Sequence, residues 1–333
     1  MEKPSLTFSF AAPKRTTQRR QPPASHDGSG ADPRSPAAKA MAEDIAVMLT
    51  NDDAAVSKLS AVRLGYWRDN FLHHFVRGYY TRVAAIHNVL RQFLAAGGSD
   101  TPKQVVCLGA GFDTTYFQKK SEGWLGDNVV FYELDFGEVV KRKSNIITTC
   151  RELHELIAHN EAGIRVTEEG LHTKNYHLIT ADLRSIENVD KVLTTAGLER
   201  WAATFEKAVF VTYEQILPDD AFGRMMLKNL EERNVHLHGL HARPSIETQR
   251  SAYLALGWDE AQVVDMNAIS DRLLGRDELA RLNRIEMFDE VEEWRLTQAH
   301  YCIVLATTDA SKSGIWADLS LIQPTPPAVP TQQ

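Results

Sequence analysis

Three features of this sequence could act together on one small molecule. Gly109-Ala110-Gly111 follows the apolar run Val105-Val106-Cys107-Leu108. Asp135 closes a second apolar run that starts at Val129, and Asp182 closes a third that starts at His177. Glycine lets a backbone turn sharply and approach a ligand closely. A carboxylate at a strand end can accept both hydroxyls of a ribose. Glu133 shares a strand face with Asp135, so either could do this, and Asp135 is preferred because it sits last. Asp182 could accept an adenine amino group, with Leu183 beside it offering a backbone amide and an apolar wall. Each element alone is weak: a Gly pair can be a plain tight turn and a lone acid a surface residue. At three successive strand ends they describe a nucleoside pocket.

A dinucleotide would need Gly or Ala three residues after Gly111, and this sequence has Thr114. Asp113 also puts negative charge where a pyrophosphate would want a helix N-terminus. S-adenosylmethionine carries no phosphate and tolerates both. No Ser/His/Asp or metal-ligand constellation stands out, and neither a catalytic base nor a metal is expected. Displacement at a sulfonium methyl is mostly a matter of positioning and electrostatics. Cations are needed instead, and Arg82 could grip a carboxylate in bidentate fashion.

The elements that must hold these residues follow from periodicity. Apolar residues at helical spacing predict a helix over 79–95, ended by Gly97-Gly98. A helix is also expected over 44–64. Strands are expected at 105–108, 129–135, 177–183, 208–213, 262–266 and 301–307. Helices are expected at 138–148 and 185–196, with further ones capped by Asp219 and by Ser245. Alternating strands and helices predict an α/β layer fold with a largely parallel sheet and a ligand at the strands' carboxyl ends.

Composition sets the limits. Ten of the 13 prolines fall in 1–36 and 324–330. The expected organisation is therefore a disordered basic tail over 1–41, a catalytic body over 42–309 and a disordered Pro-rich tail over 310–333. Residues 1–40 hold seven Lys/Arg against three Asp/Glu, or +4, which leaves −11 of the net −7 to the remainder. An acidic body is a poor platform for nucleic acid. No run approaches the roughly 20 apolar residues of a membrane span. Three scattered cysteines, Cys107, Cys150 and Cys302, argue against a disulfide framework. A cytoplasmic monomer, with a possible nuclear share, is expected.

Beyond these readings the sequence resembles the leucine carboxyl methyltransferases. The resemblance is carried in order by Gly65-Tyr66-Trp67, Gly78-Tyr79-Tyr80-Thr81-Arg82-Val83 and the block from Leu108 to Thr115. It continues through Glu133-x-Asp135-Phe136, Ala181-Asp182-Leu183-Arg184, Tyr213-Glu214-Gln215 and His300-Tyr301-Cys302. It implies a Rossmann-like S-adenosylmethionine-dependent fold and cofactor contacts from Lys58, Arg82, Gly109, Asp135, Asp182 and Leu183. It further implies methyl transfer to the α-carboxylate of the C-terminal leucine of the protein phosphatase 2A catalytic subunit, the expected partner. A related carboxyl methyltransferase of tRNA wybutosine synthesis is the alternative, and a remnant that binds without methylating is another. The sequence departs from the family twice. One central strand ending in an acid is missing between Asp182 and Tyr213, where only residues 184–207 intervene, and a charged stretch is missing after Val76. Either the segments are simply lost, which is the preferred reading and leaves activity doubtful, or strand 208–213 takes the vacated place with Glu214 as the replacement acid.

Overall fold

The computed structural model describes residues 77–98, 100–158, 163–195, 207–232, 235–237, 239–285, 291–308, 316 and 318–323. Lys58 and the helix expected over 44–64 lie outside these residues. The first described helix, α1 (Arg77–Ala95), sits where helical spacing placed it. Next come β1 (Lys103–Leu108), α2 (Thr115–Ser121), β2 (Val129–Asp135), α3 (Gly137–Thr149) and α4 (Arg151–Ile157). A short hairpin of β3 (Arg165–Val166) and β4 (Gly170–His172) precedes β5 (Tyr176–Thr180) and α5 (Ile186–Thr195). The second half contains β6 (Val209–Gln215), α6 (Ala221–Glu231), α7 (Ile246–Ala255), β7 (Glu260–Asp265) and α8 (Met266–Leu273). It closes with α9 (Arg276–Ile285), α10 (Val291–Ala299) and β8 (Tyr301–Thr307).

The strands form two sheets rather than one. The first has the order β1-β2-β5-β4-β3 and the second β6-β8-β7. β1, β2 and β5 are parallel, in the register Cys107↔Glu133↔Leu178. The pairs β4–β5, β3–β4, β6–β8 and β7–β8 are antiparallel. The sheet is thus mixed, and its parallel part is the one that carries the Gly loop and both acids. β2 reads as a near-continuous apolar run because both its faces are covered. One face packs Phe131 with Tyr116, Phe117 and Tyr176 beneath α2 to α4. The other packs Tyr132 and Leu134 with Ile179, Val189 and Leu193 of α5. In the second sheet, buried Ile303 and Leu305 meet Ala85 and Val89 of α1. α1 therefore packs on the second sheet, and its Leu94 also packs against the core of the first.

Two expectations need correction. The body does not end at 309. Trp316, Leu319 and Leu321 are buried in the α1 cluster, and Trp316 stacks on Phe93 with ring centroids 5.4 Å apart. The Gln92 amide brackets Ser320, accepting from its N–H at 2.9 Å and donating to its carbonyl at 2.8 Å. The apolar residues of 316–322 outweigh the prolines that follow, which is why composition misassigned them. The cap of α6 is Asp220 rather than Asp219: the Asp220 side chain accepts from Gly223 N at 2.7 Å. Ser245 caps α7 as expected, in a reciprocal capping box with Thr248. The expectation for 316–323 gives a test. Trp316→Ala should cost about 3–5 kcal/mol, read as a lower urea midpoint at unchanged slope; an unshifted midpoint would show that this segment does not belong to the core.

Candidate functional site

The Gly loop hangs on the end of β2. Gly109 N and Ala110 N both donate to Leu134 O, at 2.9 and 3.1 Å. Gly109 and Gly111 have φ of 66° and 52°, the left-handed region that a side chain makes costly. Gly111 N donates to Asp135 Oδ2 at 2.7 Å, and Phe136 N to Asp135 Oδ1 at 2.8 Å. Asp135, 9% exposed, thus shapes the loop while each oxygen keeps a lone pair for another donor. Asp113 accepts from Thr115 N at 2.7 Å at the start of α2. The helix N-terminus that a pyrophosphate would use therefore already holds a carboxylate, and the loop suits a phosphate-free nucleoside.

Glu133 and Asp135 separate clearly in role. Glu133 is fully buried, bonded at 2.6 Å to Lys143 Nζ and at 2.6 Å to the Tyr176 hydroxyl. Lys143, itself 4% exposed, also donates to Asp113 O at 2.7 Å. Burial raises the Glu133 carboxyl above its ordinary range, and Lys143 pulls against that rise. Glu133 is therefore a strut beneath the loop. Lys143 was not foreseen from sequence, because only tertiary packing brings α3 against β2 and β5.

Asp182 and Leu183 join the same edge. Ala181 N donates to Asp135 O at 2.9 Å, which sets the third strand end beside the second. A Cβ on Gly109 would lie 3.8 Å from Leu183 Cδ1, so loop and apolar wall face each other. Asp182 is gripped by Arg184, whose Nε and Nη2 lie 2.9 and 2.7 Å from its two oxygens. That guanidinium holds the Asp182 carboxyl below the usual carboxylate range. It also lies over the Phe136 ring at 5.4 Å, so Arg184 spans both acidic strand ends.

Arg82 stands apart from this cluster. Its guanidinium lies over Tyr213 of β6 at 4.9 Å, and Tyr213 stacks on Tyr301 of β8 at 5.1 Å. One and a half turns later, the α1 residue His87 comes within 3.4 Å of the Thr115 hydroxyl. Arg82 thus faces the second sheet.

Glu214 does not stand in for a missing acid here. β6 pairs only with β8 among the described residues. Glu214 lines a cavity of about 290 Å³ with Arg243 and Gln249, and burial raises its carboxyl against the pull of Arg243. Beyond it, Leu217 has a φ of 58° and Gly223 packs so tightly that a Cβ would meet Leu217 O at 2.0 Å. Buried His300 braces this turn, its Nε2 2.9 Å from both Asp220 oxygens. No group of three or more His, Cys, Asp or Glu among the described residues could hold a metal. No described helix is long and apolar enough to cross a membrane.

Comparison with known proteins decides the family. The family model described as leucine carboxyl methyltransferase matches residues 30–225. The chain belongs to the leucine carboxyl methyltransferase family. This places it among the S-adenosylmethionine-dependent carboxyl methyltransferases. The Leucine carboxyl methyltransferase 1 homolog of Arabidopsis thaliana is 38% identical, over 82% of this chain and 92% of its own length. Leucine carboxyl methyltransferase 1 of Bos taurus is 32% identical, over 82% and 93%. The tRNA wybutosine-synthesizing protein 4 of Homo sapiens is 36% identical over 79% of this chain but only 44% of its own length. The Arabidopsis alignment spans 310 positions, more than the 82% of 333 residues that this chain contributes. That family member therefore carries stretches with no counterpart here, as the open sheet suggests.

The strut beneath the loop can be tested alone. Lys143→Met leaves Glu133 buried without its cation and should cost about 3–5 kcal/mol. Pairing it with Glu133→Gln should restore part of that loss in urea unfolding. A single variant within 1 kcal/mol of the parent, by the same measurement, would mean the pair does not hold the loop.

Proposed function

We propose that the chain binds S-adenosylmethionine at the Gly109–Asp135–Leu183 edge and acts on the C-terminal leucine carboxylate of a protein phosphatase 2A catalytic subunit. The observation that carries this reading is the Asp135 carboxylate. It is positioned by two backbone N–H groups at the mouth of a glycine turn whose helix end rejects phosphate. Asp135 accepts the ribose hydroxyls, Asp182 with Leu183 frames the adenine, and Arg82 and Lys58 supply positive charge for the cofactor's own carboxylate. A leucine carboxylate as the acceptor is supported by the names of the relatives from Arabidopsis and cattle.

The cofactor supplies a sulfonium methyl group that an anionic oxygen can displace directly. The acceptor carboxylate needs no general base. The protein's task is to hold the acceptor oxygen in line and exclude water. To admit adenine, Asp182 exchanges part of its grip on Arg184 for the ligand's amino group, which leaves a cation at the site mouth. Methylation of a tRNA precursor is the second reading, favoured by the 36% identity to the human wybutosine protein. The −11 charge outside the first 40 residues, from the net −7 and the tail's +4, weighs against a polyanion.

Labelled S-adenosylmethionine added with purified phosphatase catalytic subunit should mark the full-length subunit and not one lacking its terminal leucine. Label on the truncated subunit would exclude the leucine carboxylate as acceptor. Transfer to tRNA instead, steeply lost with salt, would establish the second reading.

A further inference from the structure

A short hairpin lies along the outer side of β5. β4 pairs with β5 in the register Gly170↔Ile179, Leu171↔Leu178 and His172↔His177, and β3 pairs with β4. Two backbone bonds fix the phase of that ladder. Thr173 N donates to Tyr176 O at 2.9 Å at the turn, and Thr180 N donates to Glu169 O at 2.8 Å at the far end. Bonded and non-bonded pairs alternate in an antiparallel ladder, so 172–177 is a non-bonded pair, where facing side chains come closest. Aromatic, β-branched or oppositely charged residues stabilise such a pair. This hairpin carries two histidines there.

The two rings meet through the same atom. His172 Nδ1 lies 3.2 Å from His177 Nδ1. Only one of these nitrogens can carry hydrogen, donating it to the bare nitrogen of the other ring. A first added proton, taken up at Nε2 of the donor ring, leaves that bond in place. A second puts hydrogen on both Nδ1 atoms and sets two imidazoliums face to face. The surroundings add to the conflict. Arg165 of β3 is paired directly with His172 and adds positive charge, while Glu169 in the turn acts in the opposite sense. On its other side, His177 stacks on buried Tyr132, with centroids 4.9 Å apart and planes 11° apart, and the Tyr132 hydroxyl is bonded to the Gln104 side chain. α5 brings Val189 and Leu193 to the Tyr132 cluster, and its Glu187 and Lys191 are exposed. α3 packs Val140 and Ile147 on Leu171 and Leu178, the opposite face of the sheet.

We propose that the His172–His177 pair is an acid-sensitive clasp, and that protonation of both rings loosens the β3–β4 hairpin from β5. The direction follows from the setting of the rings. Burial lowers His172 below the ordinary 6.5 of a histidine, with Arg165 adding to the effect. Burial also lowers His177, with His172 and Arg165 adding, to about 4. An opened hairpin regains the ordinary value and takes up protons that the closed one refuses. The closed form is therefore fully stable above about 6.5 and loses stability as pH falls from there toward 4. The strand that the clasp holds, β5, ends at Thr180, two residues before Asp182. Acid thus acts on the strand that carries the expected adenine end of the site. The clasp is inferred from the hairpin itself and stands whether or not that end binds a cofactor.

Hydrogen exchange read by mass spectrometry on the full chain, corrected for the intrinsic pH dependence of exchange, tests this. Between pH 7.5 and pH 5, the amides of 165–173 should lose about tenfold or more of their protection, since one proton taken up on opening shifts the equilibrium tenfold per pH unit. Those of 129–135 in the same sample report opening of the sheet as a whole and should hold. The double variant His172→Thr, His177→Thr keeps a favourable cross-strand pair with nothing to titrate, and its 165–173 segment should not respond to acid. Unchanged protection of 165–173 in the parent, an equal loss at 129–135, or the same acid response in the double variant would overturn the proposal. Should the double variant not fold, the contrast between the two segments of the parent still decides.

Discussion

The Gly loop depends on one buried charge pair. Glu133 and Lys143 sit 2.6 Å apart, with Glu133 fully buried. A lone carboxylate there would cost several kcal/mol, and a lone ammonium the same. Together, and with the Tyr176 hydroxyl, they tie β2 to β5 and α3. The remaining Lys143 contact reaches Asp113 O and so anchors the far end of the loop. Asp135, two residues along the same strand face, is then free to shape the near end through Gly111 N. Sequence puts both acids on one face and prefers Asp135 only for its last position; the cation beneath Glu133 separates their roles.

Much of this was legible before folding. Val129–Asp135 is a strand over the length its apolar run marks, and the spacing of Val83 through Leu94 gives α1. The Gly loop and the ends of the second and third strands meet because parallel strands bring their carboxyl ends to one edge. What escaped detection has a shared cause. Lys143 sits in a basic stretch, Lys141-Arg142-Lys143, that looks like a solvated face; only docking on Glu133 buries one of the three. The β3–β4 hairpin is too short for periodicity to register. Asp219 and Asp220 are equal as caps until His300 selects the second.

The described residues between Arg184 and Lys207 form one helix, α5, and no described strand joins β1 to β6. The proposed nucleoside edge is built on β1, β2 and β5 above the Glu133–Lys143 strut. Arg82 rests on β6 and β8, the other side of the break. Four of the six residues expected at the cofactor, Gly109, Asp135, Asp182 and Leu183, thus lie at the carboxyl edge of the parallel sheet, while Arg82 lies on α1 against the second sheet. Residues of α1 enter the cores on both sides.

The nucleoside reading is most directly tested by calorimetric titration of the full chain with S-adenosylhomocysteine and, separately, with NAD. A pocket built on Asp135 with Asp113 at the helix end should bind S-adenosylhomocysteine, lose at least about tenfold in affinity on Asp135→Ala (roughly 1.4 kcal/mol), and show no heat with NAD. Binding of NAD, or affinity for S-adenosylhomocysteine that ignores the loss of Asp135, would contradict it.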